Sequence, residues 1–330
     1  MKNYIILCFL FFFLVDVKAQ DPIFTQYFMV PETLNPGFTG FLETTTAGIL
    51  HRTQWPDLNF RVDSDFGFVN TWSDKINSGY GITLLSQRER FTNYSLSQAN
   101  FSYAYRVQLN DDWYFRPAVT IGFGTKSFGF QNLILEDQIN IGSGTINPTS
   151  IDPTRVNEKV SFFDFSAGML FNNETTWFGA AIKHLNKPNI SFTQTGNLPL
   201  EMFFSANVGH EMLVEDYFDL GFIPLDTKFL FTANYMKQGQ FNRLDLGTGI
   251  IFKNLFFGVS VATNPIRNTN NGHYLTSINP FGGLQYEHFK FGYSYDINVS
   301  GIGQTGGVYE LSVLYQFDFK VRCLGCPLYY

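Results

Sequence analysis

After Val15 this 330-residue chain has no apolar run long enough to cross a membrane as a helix, which takes about 20 residues. Charge is scarce too. Asp, Glu, Lys and Arg make up 15% of the chain, where a soluble domain carries about 25%. There is no basic excess, and the net charge of −6 argues against a nucleic-acid or anionic-surface binder. Cysteine numbers three: Cys8 lies in the first apolar run, and Cys323 and Cys326 stand as Cys-Leu-Gly-Cys with no His or Cys beside them. Four zinc ligands are therefore not at hand. The expectation for Cys323 and Cys326 is a local disulfide in an oxidising compartment, with a redox pair as the alternative.

Catalytic motifs are also missing. His51, His184, His210, His273 and His288 are scattered without metal-binding spacing. Gly122-Phe123-Gly124 and Gly247-Thr248-Gly249 precede no helix whose N-terminus could receive a phosphate. They read instead as strand glycines, where curvature or crowding inside the lumen favours a missing side chain. No Gly-x-Ser-x-Gly elbow occurs. No metal, cofactor or enzymatic activity is expected. One enzymatic alternative is a lipid hydrolase assembled across strands, since His184 and His210 fall on adjacent predicted strands.

Residues 1–19 read as a signal peptide. Lys2 supplies the basic start, Tyr4 to Val15 the apolar run, and Val17-Lys18-Ala19 a cleavage site before Gln20. Cys8 lies inside the run, so a lipoprotein leader ending there would be too short. Lys2, Asp16 and Lys18 leave with the leader, giving 20 basic and 27 acidic residues in the mature chain and a net charge of −7.

What is abundant is aromatic residues, 18% of the chain, and strict alternation. Phe289, Phe291, Tyr293, Tyr295, Ile297 and Val299 alternate without exception with Lys290, Gly292, Ser294, Asp296, Asn298 and Ser300. Period two is the mark of a strand with two unlike faces. Many alternating segments reach the length of a tilted strand crossing a bilayer, about 9–11 residues. Strands are expected at Glu43–Gln54, Phe60–Trp72, Ser78–Arg90, Phe91–Leu109, Asp112–Ser127, Ser161–Phe171 and Thr175–Leu185. The series continues with Glu201–Leu213, Asp226–Met236, Asn242–Phe252, Leu255–Thr263, His273–Glu287, Phe289–Ser300 and Gly307–Phe319. That makes an all-β, transmembrane antiparallel β-barrel of about 14 strands, an even number as such barrels have.

Connections such as Asn110-Asp111 and Lys253-Asn254 are tight, whereas Phe128–Val160 and Asn186–Leu200 are long, and tight and long connections mostly fall at opposite ends. Val214–Leu225 breaks the rule as a larger turn. Short turns belong in the periplasm and long loops outside. The expected place is the bacterial outer membrane, in contact with its lipid, with both termini periplasmic. Tyr293 should face lipid and Ser294 a wet lumen that would tolerate Arg.

The chain divides into residues 20–42, a barrel at 43–320 and a C-terminal extension at 321–330. Residues 20–42 do not fit a membrane strand, because Pro22, Pro31 and Pro36 interrupt them. Their aromatics would nonetheless be costly in water. Phe24, Gln26, Tyr27, Phe28, Asn35, Pro36 and Phe38 are therefore the candidate plug and partner residues, packed in the lumen or its periplasmic mouth.

Here the chain resembles a known family. Gln20-Asp21-Pro22, Phe24-Thr25-Gln26-Tyr27 and Asn35-Pro36-Gly37-Phe38-Thr39-Gly40 are similar to the opening of mature PorP/SprF proteins. Arg52-Thr53-Gln54-Trp55, Ser102-Tyr103-Ala104-Tyr105, Gly292-Tyr293-Ser294-Tyr295-Asp296 and Gly306-Gly307-Val308-Tyr309-Glu310-Leu311-Ser312 continue it. One departure is Val308-Tyr309, where many relatives read Ser-His. The resemblance implies an outer-membrane component of the type IX secretion and gliding apparatus. It would contact periplasmic ring proteins and export or anchor large adhesins bearing a type B C-terminal sorting domain. The alternative is a FadL-like or porin-like channel for small molecules.

Overall fold

Alternation over this length lets each strand offer lipid one face and the interior the other, while every backbone group pairs sideways. The structure, a computed structural model, describes residues 21–129, 138–140, 142–148, 158–193, 196–214, 227–266, 274–299 and 305–317. Strands β1 to β7 are Thr46–Gln54, Val62–Ser73, Ser78–Glu89, Ser95–Tyr105, Tyr114–Ser127, Lys159–Asn172 and Thr176–Lys183. Strands β8 to β14 are Phe203–Leu213, Lys228–Gln238, Phe241–Phe252, Leu255–Thr263, Leu275–Tyr286, Phe289–Asn298 and Val308–Gln316. Each pairs antiparallel with the next, and β14 pairs with β1 from Thr46↔Gln316 to Gln54↔Val308. The result is a closed 14-stranded barrel with no free edge. A two-residue piece, Val107–Gln108, prolongs the β4–β5 ladder, and a small hairpin pairs Ile139–Asn140 with Thr145–Ile146.

The two rims differ. At the turn rim, β6–β7, β10–β11 and β12–β13 are joined by two or three residues. Lys253 and Glu287 sit there at φ 52 and φ 50, the left-handed conformation that tight hairpins demand. Asn173 Oδ1 accepts from Thr176 N at 2.7 Å and closes the β6–β7 turn. The loop rim carries most of the long connections, including those between β5 and β6 and between β7 and β8, while the one between β8 and β9 falls at the turn rim.

All fourteen expected strands are present, with shifted ends that have local causes. The first begins at Thr46 rather than Glu43, because Glu43 turns left-handed (φ 55) and sends its carboxylate to Arg106. The fourth begins at Ser95 rather than Phe91, because Asn93 adopts φ 53 and Glu89 accepts from Thr92 N at 2.8 Å. The signal peptide, Cys323, Cys326, the extension 321–330 and nearly all of Val214–Leu225 lie outside the described residues.

The faces divide as the alternation requires. Tyr293 and Leu311 point outward at 49% and 55% exposure, while their neighbours Ser294 and Ser312 are fully buried. The wet lumen is a different matter. Ser294 Oγ lies 3.4 Å from Gln26 Nε2, so protein rather than water covers the inner wall there. Space that was expected to tolerate an arginine is already filled.

Candidate functional site in the barrel lumen

Residues 21–42 run inside the barrel from the loop rim to the turn rim, then continue into β1. Three prolines deny this segment a regular ladder, so its polar groups must find partners on the inner wall. It folds into two short 3-10 turns, Pro31–Thr33 and Pro36–Phe38. Each starts on proline, whose fixed φ suits a first helical position. Asn35 caps the second: its Oδ1 accepts from Gly37 N at 2.8 Å.

The loop-rim end is held by charge. Asp21 N donates to Gln238 Oε1 at 2.8 Å. The Asp21 carboxylate meets His184 Nε2 at 2.8 Å, and His184 Nδ1 meets Asp164 of β6 at 2.9 Å. Burial would raise the Asp21 pKa, but the imidazolium of His184 holds it well below the usual carboxylate range. For His184, just past the end of β7, burial works downward, yet the two carboxylates push it up to about 9. The ring is thus a charged bridge between segment and wall.

The centre is a node of four distant stretches of sequence. Glu310 Oε1 and Oε2 accept from Thr25 N at 2.8 and 3.0 Å, and Oε2 accepts from Gln26 N at 2.9 Å. Arg52 pairs with Glu310 at 2.6 Å and lies 3.8 Å from Asp296. Thr25 Oγ1 donates to Asp296 at 2.7 Å, and Ser312 Oγ donates to Gln26 Oε1 at 2.6 Å. Glu310 and Arg52 face each other across the β14–β1 pairing. Glu310 is a buried carboxylate, and it is satisfied because two backbone N–H groups and a guanidinium surround it.

The lower part is apolar. Phe24, Tyr27, Phe28, Met29, Val30, Leu34, Phe38 and Phe41 join inward side chains such as Phe66, Trp177, Phe256 and Phe281 in one buried cluster. Phe28 lies 4.1 Å from the Phe281 ring centre. Backbone ties are spaced through this packing. Lys183 Nζ donates to Thr33 O at 2.7 Å, Ser205 Oγ to Leu34 O at 2.8 Å, and Asn35 Nδ2 to Met169 O at 2.9 Å. The wall is bare where the segment presses hardest. A Cβ on Gly79 would stand 2.2 Å from Thr39 O, and one on Gly168 2.5 Å from Asn35 Oδ1.

Glu32 is the odd member. Its Oε1 accepts from Asn70 Nδ2, while its buried Oε2 has no hydrogen-bond partner among the described residues. Burial pushes its pKa up to about 7. Nearer the turn rim, Glu43 bonds Arg106 and lies 3.5 Å from Arg116, which stacks over Phe41 at 5.0 Å. Between the segment and strands β2 to β7, the space bordered by Asp21, Glu32, Asn100 and His184 is about 60 Å³. That is room for a few water molecules, not for a solute.

All seven candidate residues, Phe24, Gln26, Tyr27, Phe28, Asn35, Pro36 and Phe38, are buried in this assembly. Of its charged wall partners, Arg52, Asp164, Asp296 and Glu310 were not singled out as site residues, and His184 was named only for the hydrolase alternative. The signal was present: Arg52, Asp296 and Glu310 each stand in a motif that carried the family resemblance. The cross-strand hydrolase arrangement fails on register. His184 lies beyond the loop end of β7, whereas His210 pairs with Thr176 at the turn end and bonds its hydroxyl at 2.8 Å. Among the described residues no group of His, Cys, Asp and Glu is placed to hold a metal.

Solved structures that align with this chain include the KdgM porin, with 8% identity, 83% of this chain and 99% of that chain covered, and a TM-score of 0.36. CdiB from Acinetobacter baumannii aligns at 8% identity over 83% of this chain and 60% of that one, with a TM-score of 0.44. A mutant of the Rh. blastica porin aligns at 10% identity over 83% and 99%, with a TM-score of 0.34. These likenesses are too distant to carry an activity. No curated protein matches the sequence. The sequence profile of the type IX secretion system membrane proteins PorP/SprF, by contrast, matches residues 16–315, nearly the whole chain. This outer-membrane β-barrel belongs to the PorP/SprF family.

Proposed function

We propose that the protein is a non-enzymatic component of type IX secretion whose barrel is closed by its own N-terminal segment and serves as a scaffold rather than a pore. In this reading residues 21–42 are a plug. The turn rim faces the periplasm and meets the ring components, and the C-terminus lies on that side. The loop rim faces outward, where the connections after β5 and β7 hold an exported adhesin with a type B sorting domain. Recognition by loops on a rigid scaffold suits such a task. The observation that carries the proposal is the node of Thr25, Gln26, Arg52, Asp296 and Glu310, in which the segment bonds β13 and β14 directly while Arg52 of β1 pairs with Glu310.

The test uses two deletions behind an intact signal peptide. Removing residues 24–38 should leave a heat-modifiable barrel that conducts ions in planar bilayers and no longer copurifies with ring proteins. Shortening the connection after β5 should leave both properties intact while cargo disappears from the cell surface. Wild-type protein that conducts like a general porin would overturn the closed-scaffold reading. Exchanged phenotypes would invert the topology.

A further inference from the structure

The outer wall of β1 to β5 holds a depression of about 560 Å³, within the range of small-molecule sites, about 300–1,000 Å³. Its form follows from one row of register partners. Ile49 pairs with Gly67, Gly67 with Leu84, Leu84 with Ala99 and Ala99 with Phe123. Large side chains thus alternate with nearly absent ones, so two clefts open between three ridges. The row nearer the turn rim has Ala47 on β1 but reads Val69, Ile82, Phe101 and Ile121 across β2 to β5, where it has no such gaps. Gly67 is not demanded by packing. A Cβ there would meet only Gly48 O, at 3.9 Å.

The next row toward the loop rim is polar although it faces outward. His51 pairs with Asp65, Asp65 with Ser86, Ser86 with Ser97 and Ser97 with Thr125. The His51 ring and the Asp65 carboxylate are 2.7 Å apart and both well exposed. One step further, cations gather. Arg61 and Arg90 lie 2.8 and 3.2 Å from Asp63, and the register partner of Asp63 is the exposed Arg88, which makes no ion pair among the described residues. With His51 uncounted, three guanidiniums against Asp63 and Asp65 leave one net positive charge.

The wall therefore presents three layers in order: an apolar cleft, a band of hydroxyl and carboxylate groups, and arginines with donors to spare. We infer that this face binds one molecule of a phosphorylated, acylated glycolipid of the lipid A type. An acyl chain would lie in the cleft beside Gly67 and Ala99. Sugar hydroxyls would meet Asp65, Ser86 and Ser97, and a phosphate would meet Arg88 and Arg90. Guanidinium donors in a fork suit phosphate oxygens. A glycerophospholipid would leave the hydroxyl band unmet. The choice of an outer-leaflet lipid rests on the outward placement of the loop rim proposed above.

Native mass spectrometry of the purified full-length barrel in detergent, titrated with phosphorylated lipid A, is the test. The wild type should retain one lipid through delipidation. Gly67→Leu with Ala99→Leu, which fills the clefts, and Arg88→Glu, which reverses the charge, should each weaken binding at least tenfold. Val69→Leu, outside the cleft, should change nothing, and heat-modifiable migration certifies folding of every variant. Retention unchanged in both site variants, or equal binding of phosphatidylglycerol, overturns the assignment, as does a stably copurifying protein on this face. Conductance and cargo retention play no part in the readout, so this inference and the closed-scaffold reading fail independently.

Discussion

The two ends of the lumenal segment are held by different physics. Residues 21–26 are tied by ions and hydrogen bonds to named atoms on β9, β13 and β14 and to His184. Residues 27–41 are held chiefly by burial against aromatic and aliphatic side chains, with the backbone ties between them. Apolar contact is roughly proportional to area and tolerates sliding. A carboxylate that must meet two particular N–H groups does not slide. The lower part thus supplies attachment, and the upper part sets where along the barrel the attachment occurs.

Three experiments press on that division, the largest expected effect first. Phe28→Ala should cost about 3–5 kcal/mol, the usual range for emptying an aromatic site in a core. Thermal unfolding and bilayer conductance would show a less stable barrel with intermittent openings. A loss below about 1 kcal/mol would mean the apolar half is not the main attachment.

Glu310→Gln keeps shape but removes charge-assisted bonds to Thr25, Gln26 and Arg52, at about 1.5–3 kcal/mol. Its effect should be of a different kind. Cysteine crosslinks between residue 25 and β14 should lose their single register while the segment stays in the barrel. A single preserved register would sink the assignment of positioning to this node.

The smallest effect concerns pH. Glu32 is buried with its pKa raised from 4.5 to about 7. A raised carboxyl favours the docked form when protonated. Its contribution is complete below about pH 4.5 and falls through the window up to about pH 7, by about 1.4 kcal/mol per pH unit at most. Protease should clip the segment more readily at pH 8 than at pH 5. Glu32→Gln should flatten this dependence, and a dependence of the opposite sign would contradict it.

Much of the barrel was legible because alternation is local. Whether Tyr293 and Ser294 face opposite ways follows from their adjacency alone. That residues 20–42 are no strand was equally legible from three prolines. The node was not legible, because Thr25 and Glu310 are 285 residues apart and only closure of the ring brings them together. The filled lumen escaped for the same reason. A serine facing water and a serine facing Gln26 look identical in sequence.

The Arg52–Glu310 pairing lies on the line where the first and last strands meet, and that has a bearing on assembly. The ring closes last between these strands if the chain adds them in order. One of the two residues that complete the closure, Glu310, also grips Thr25 and Gln26, and the other, Arg52, pairs with it. A half-formed ring lacking the segment would bring a guanidinium and two carboxylates together with too few donors. A ring with the segment aboard closes with its charges matched. Sealing the wall and seating the segment become a single cooperative event, so occupancy of the interior doubles as a checkpoint on whether the cylinder has been completed.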